Sequence, residues 1–228
     1  MISLYFILIL CSIAVPLVLS FDKKLHFYTE WKYLFPSMFA VAIVYIAIDI
    51  VFTKAGIWGF NERYHSGIEF FHLPLEEWLF FIVIPYASIF LHDALVLYFP
   101  NFRIKKSQAS IVSAILLFFT LVFLLFNFEK AYTSYILLSV ALVLIASFFD
   151  STETTNSFYL TFLVILIPFL AVNAILTGSF IDEPIVWYNN SENLGMRFLT
   201  IPIEDFGYAF SLILFNLLLR AKLKTIFY

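Results

Sequence analysis

Two acidic pairs, Glu76-Glu77 and Glu204-Asp205, are the residues of this chain with the strongest claim to chemistry. Each closes a short motif, Leu73-Pro74-Leu75-Glu76-Glu77-Trp78 in one case and Ile201-Pro202-Ile203-Glu204-Asp205-Phe206 in the other. A single motif of this kind is an ordinary helix start, because proline suits the first turn and the helix dipole favours nearby carboxylates. Two of them at the heads of apolar segments ask for more, since acids are costly to place near a membrane interior. A protonated carboxyl beside an ionised one supplies a general acid and a general base from the same residue type. Adjacent helical residues face different ways, so at most one acid of each pair is expected to point squarely into a cavity.

The two motifs belong to an internal repeat. Phe60-Asn61, Gly67, Ile68 and Phe70 stand 128 residues ahead of Tyr188-Asn189, Gly195, Met196 and Phe198, in the same register as the acids. A small gap upstream places Asp49 opposite Asn173. Asp49, Asn61, Asn173, Asn189, Trp78 and Phe206 are therefore supporting candidates, with Asp49 read either as a site participant or as an interfacial acid paired with Lys54. Arg63 and Arg197 either neutralise the acid pairs or face water. His65 and His72, with the aromatic residues around them, including Trp58, read as an interfacial belt.

The elements that must carry these residues are membrane helices. Of 228 residues, 63% are hydrophobic and 13% charged, far from the balance of a soluble domain. Seven apolar stretches fall at about 2–21, 33–53, 74–99, 108–128, 131–149, 157–177 and 201–220, each near the length of a membrane-crossing helix. The first has no cationic region ahead of it and is read as a retained helix. Pro36, Pro74 and Pro202 are expected at or near the first turns of their segments, and Pro16, Pro85 and Pro168 inside helices as kinks. The expected fold is all-α and integral to the membrane, with seven transmembrane helices built from two parallel three-helix repeats joined by an extra helix. Residues 1–99 form the first repeat, 100–130 the linking helix and 131–228 the second repeat. The extra helix returns the chain to its starting side, so both motif loops open on one membrane face. Lysine and arginine gather on the opposite side, notably at Lys23, Lys24, Arg103, Lys105, Lys106, Arg220, Lys222 and Lys224. That asymmetry predicts a multi-pass cell-membrane protein with its N-terminus outside and its C-terminus cytoplasmic. Arg220 and the lysines after it are read as a topology anchor, and His92 with Asp93 as a cap or hydrogen-bonded pair too far from the acids to share their site.

Several classes are disfavoured. A net charge of -3 offers no basic stripe for nucleic acid. Cys11, the sole cysteine, is expected as a buried, inert thiol. Metal ligation is not expected, because helical His/Glu ligand spacing is missing. No glycine-rich dinucleotide fingerprint is present, so no cofactor is expected, and no lysine sits at a helix centre to carry a retinal Schiff base. A noncovalent pigment-binding role, a transporter or channel with an acidic ion or proton site, and a homo-oligomeric assembly stay open.

The doubled motif, with "LPLEEW" and "IPIEDF" each following an aromatic loop that contains asparagine and glycine, resembles the membrane-integral lycopene cyclase domain family. The resemblance covers nearly the whole chain and is to the fused form of the heterodimeric enzymes. It implies a lycopene β-cyclase, an isomerase of carotenoid biosynthesis that converts lycopene to β-carotene through γ-carotene with no net redox change. The partners it implies are lycopene or a related acyclic carotenoid and the surrounding lipid. It further implies that an acid protonates C2 of the end group, that the C5=C6 bond closes the ring on the cation at C1, and that a base takes a proton from C6. Glu76, Glu77, Glu204 and Asp205 are then the acid and base candidates, with Trp78, Phe80, Phe81 and Phe206 as cation-stabilising rings.

Overall fold

Segments this apolar must satisfy their own backbone hydrogen bonds in lipid, and the α-helix does so within one segment. The computed structural model describes residues 3–227; Ile2, where the first apolar stretch was expected to begin, lies outside the described residues, as do the outermost residues of both repeats. Seven helices follow the seven stretches in order: α1 (Leu4–Leu19), α2 (Trp31–Lys54), α3 (Leu75–Tyr98), α4 (Lys106–Asn127), α5 (Ala131–Ser147), α6 (Thr154–Leu176) and α7 (Glu204–Ile226). Five carry spans long and apolar enough to cross a membrane. α1 and α5 have 16 and 17 residues, or about 24–26 Å of rise. The ends of α5 nevertheless lie at opposite faces of the bundle. Tyr132 N–H donates to Glu192 O beside the second motif loop, while the start of α6 meets the start of α4 through Ile104 N–H and Asn156 O. The architecture is all-α and suited to the membrane, with long apolar side chains such as Ile43, Phe126 and Ile167 exposed on its outer faces.

Proline placement follows the missing N–H. Pro74 is the residue immediately before α3, and Pro16, Pro85 and Pro168 lie inside α1, α3 and α6. Pro36 departs from expectation. A 3-10 helix over Phe27–Glu30 feeds directly into α2, which starts at Trp31 and leaves Pro36 within the helix.

α3 and α7, the motif helices, pack side by side and against α2 and α6. Leu34, Met38, Ile89, Phe158, Ile213 and Leu217 form the largest buried cluster between these elements. Gly207 lets α7 approach α5 closely, since a Cβ there would meet Ile136 at 2.6 Å.

Short strands cap the acidic end. β1 (Trp58–Phe60) pairs with β4 (Val186–Tyr188) in antiparallel register; β2 (Glu69–Phe70) pairs with β3 (Leu73–Pro74), and β5 (Arg197–Phe198) with β6 (Ile201–Pro202). The β1–β4 register sets Gly59 opposite Trp187, two residues that are repeat equivalents. Flanking bonds obey the same exchange, with Asn61 N–H donating to Ile185 O and Asn189 N–H to Ile57 O. A local two-fold axis therefore runs through this strand pair.

At the other face two of the basic residues, Arg220 and Lys224, are paired. Arg220 is 8% exposed and grips Asp93 through two bonds of 2.6 and 2.7 Å. Lys224 reaches Glu30 at 2.7 Å, and His92 Nδ1 lies 2.7 Å from Thr161 Oγ1. These partners let α7 continue past residue 220, where the apolar stretch alone would end it.

Candidate active site

Each motif places its first acid in the loop before it and its second in the bundle. In the first copy Glu76 accepts from Ser66 N–H at 2.7 Å, Ser66 Oγ at 3.2 Å and Ser3 Oγ at 2.6 Å. In the second, Glu204 accepts from Leu194 N–H and Thr133 Oγ1, both at 2.7 Å. Both carboxyls are buried and tie loop to helix start. Another pair of bonds repeats the loop geometry, from Gly67 N–H to His65 Nδ1 and from Gly195 N–H to Asn193 Oδ1. The imidazole of His65 thus sits buried in a turn, while its expected companion His72 is exposed.

The second acids, Glu77 and Asp205, line one cavity of about 440 Å³ together with Asp49 and Asn173. That volume lies in the range of small-molecule sites. Tyr5 OH donates to Glu77 Oε2 at 2.5 Å, and the Asp49 carboxyl adjoins Glu77 in the cavity wall. Asp49 also accepts from Trp58 Nε1 at 2.5 Å and Thr53 Oγ1 at 3.3 Å. Its partners are therefore site residues rather than Lys54. In the second copy Asp205 accepts from Tyr132 OH, from Asn173 Nδ2 at 2.8 Å and from Tyr188 OH at 3.1 Å. Burial and the adjoining Asp205 carboxyl push the Tyr188 phenol well above its ordinary range, so it remains a donor. The two halves are related but unequal: a carboxyl faces a carboxyl in one, and a carboxyl faces an amide in the other.

The remainder of the cavity is apolar and elongated. Along α3 its wall runs from Glu77 to Leu91, roughly 21 Å of helix. Trp58, Tyr132 and Tyr188 form a ring cluster beside the acids, with centroids 5.1 to 6.3 Å apart. Phe80 lines the cavity as well.

Other candidates stand elsewhere. Trp78 donates to Phe70 O, Phe206 packs on Phe169 and Phe198, and Phe81 is buried toward Tyr45. Asn61 and Asn189 fold their own loops, bonding to Arg63 N–H and Ser191 N–H respectively. Arg63 pairs with Asp182, and Arg197 donates to Thr200 O and Asn190, so neither neutralises the acids. Cys11 is exposed on α1 at the rim of the cavity rather than buried. Among the described residues no cluster of three potential metal ligands occurs.

Sequence reasoning overlooked Tyr5, Tyr132 and Tyr188 and took Trp58 for a belt residue. Tyr188 had a signal, since it stands opposite Phe60 in the repeat and adds a hydroxyl there. Tyr5 and Tyr132 had none, because the order of hydroxyl residues differs between the copies: Ser3 precedes Tyr5, whereas Tyr132 precedes Thr133.

The family model for lycopene cyclase matches residues 3–95 and 129–223. The chain belongs to the lycopene cyclase family. The two matched stretches hold the two motif loops and their carboxyls, and the gap between them spans α4. No curated protein and no solved structure matches the chain. Membership of the lycopene cyclase family supports an enzymatic role in carotenoid cyclisation and a carotenoid substrate.

Proposed function

We propose that the chain is a lycopene β-cyclase that uses only its own side chains, with Glu77, Asp49 and Asp205 as the working carboxyls. The observation that carries this reading is the meeting of these three groups, from α3, α2 and α7, at one end of a single elongated apolar cavity. Two carboxyls in contact do not both ionise readily, because like charges repel and a shared proton relieves them. The Glu77–Asp49 pair thus holds a proton at the head of the cavity. Asp205, with three donors on it, is the carboxyl best placed to carry the negative charge that the reaction needs.

An acyclic end group enters with its terminal double bond toward the acids. The Glu77–Asp49 pair protonates C2, leaving a tertiary cation at C1. The C5=C6 electrons form the C1–C6 bond, and the positive charge moves to C5. Asp205 and the faces of Trp58, Tyr132 and Tyr188 lie beside this charge. Loss of the C6 proton restores the C5=C6 bond in the ring. Returning that proton to the Glu77–Asp49 pair resets the site without a cofactor. The apolar wall keeps away water that would capture the cation. Glu76 and Glu204 act indirectly, by fixing each motif loop on its helix.

One acid-lined end serves one end group at a time, so γ-carotene is released or turned before the second ring forms. All seven helices are taken to cross the membrane, with the repeats at 1–99 and 131–228 and the acidic end outside. Expression in a lycopene-accumulating host followed by pigment chromatography tests the reading. The expected products are β-carotene and transient γ-carotene. Unchanged lycopene, with ion or solute flux across vesicles instead, would replace the cyclase by a transporter.

A further inference from the structure

The cavity described above is closed on most sides by buried or half-buried residues. The residues of its lining that are exposed are Cys11 and Val15 on α1, and Pro168 and Ala171 on α6. They lie in the middle stretches of two apolar helices, away from both loop-bearing faces. Closer to the acids α1 and α6 are sealed, where Leu8 and Leu176 belong to one buried cluster with Val172 packed on it. The cavity thus opens sideways, at the depth of lipid tails.

Two further features fall at the opening. Pro16 and Pro168, one on each helix, both line the cavity. Each removes a helix hydrogen bond, which softens α1 and α6 where they flank the gap. The polar demand of the cavity is also concentrated at its far, acidic end; beside the opening only Ser12 adds a hydroxyl, which is spent on Leu8 O. A linear polyene has no group that needs more.

We propose that the gap between α1 and α6 is a lateral portal through which the acyclic carotenoid passes from the bilayer, end group first, with its polyene tail left lying between Cys11, Val15, Pro168 and Ala171. This assignment rests on the cyclase reading of the cavity. The narrow volume suits an end group and part of the chain, and the tail continues into lipid. The portal also provides the route by which a once-cyclised product leaves and re-enters by its other end.

Two experiments separate the portal from the activity. In the first, Cys11→Trp and Ala171→Trp are compared with Val18→Trp and Ile167→Trp, which are exposed on the same helices but do not line the cavity. Rim variants are expected to lose about tenfold or more in the rate of lycopene consumption, at equal amounts of folded protein, while the controls match the parent. In the second, detergent-solubilised protein is treated with methyl methanethiosulfonate with and without lycopene. Lycopene is expected to slow modification of Cys11 but not of the thiol in Cys11→Ser/Val18→Cys. This protection needs binding and no turnover. An active parent whose rim variants keep full activity, or whose Cys11 reacts equally fast with and without lycopene, would overturn the portal. A parent that makes no cyclic product yet shows protected Cys11 would overturn the cyclase reading and leave the portal.

Discussion

Glu76 and Glu77 are neighbours of the same type in different surroundings, the first bonded to the motif loop and the second lining the cavity, so replacing each by glutamine is an informative pair of perturbations. Glu77→Gln keeps the shape and an acceptor for Tyr5 OH but removes the proton that the proposed mechanism shares with Asp49. Loss of a general acid commonly reduces rate by about 10²–10⁴, or roughly 3–5 kcal/mol of barrier. Glu76→Gln retains one oxygen, and Ser66 N–H and Ser3 Oγ both donate to the same oxygen, Oε1, so the amide oxygen can take their place there. The remaining bond, from Ser66 Oγ at 3.2 Å, is lost or reversed. Weakening one buried polar contact costs about 1–3 kcal/mol of stability. Pigment chromatography, normalised to folded protein in the membrane, then reports chemistry, and thermal unfolding in detergent reports structure. The expected result is a stable, nearly inactive Glu77→Gln and a less stable but active Glu76→Gln. If Glu77→Gln turns over lycopene normally per folded molecule while Glu76→Gln does not, the division of labour drawn from the cavity is wrong.

Four other outcomes are expected. Asp49→Asn converts the first site into the carboxyl–amide arrangement of the second, and cyclisation should fall by about 10–100-fold with little change in unfolding temperature. Arg220→Ala leaves the half-buried Asp93 without its partner and should destabilise the protein by about 1–3 kcal/mol; adding Asp93→Ala should recover much of this, read by denaturation in detergent. Gly207→Val drives side-chain carbon into Ile136 and should cost about 1–3 kcal/mol, measured the same way. A reporter fused after Tyr228 should prove cytoplasmic and one fused before Met1 external, as the clustering of lysine and arginine requires.

The parts of the fold set by simple length and polarity were legible in the sequence. Helix positions followed the apolar runs, and the repeat emerged because Asn61, Gly67 and the acids return with one spacing. That Asp49, Glu77 and Asp205 share one end of the bundle followed from counting helices. Rotation about each helix axis was not legible. Whether Glu76 or Glu77 faces the cavity depends on how α3 settles against its neighbours, and a uniformly apolar helix carries no stripe from which to read that angle. Packing between distant segments was hidden for the same reason. Trp58 looks like an interfacial residue until β1 folds it onto Asp49. Arg220 looks like a surface charge until Asp93, 127 residues away, is brought beneath it.

The strand pair at the two-fold axis constrains how such a molecule can be built. In a dimer of identical chains, whatever residue occupies the position of Gly59 must face another copy of itself. Glycine against glycine would leave a hole above the ring cluster, and tryptophan against tryptophan would collide, given that even a Cβ at Gly59 would lie 2.4 Å from the Trp187 ring. A small residue filled by a large one is a solution open only to two unlike halves. Having two halves that differ in sequence, here joined in one polypeptide, therefore does more than supply two copies of the motif. It frees the axis from self-complementarity, and the same freedom lets one half keep a carboxyl at Asp49 while the other holds an amide at Asn173.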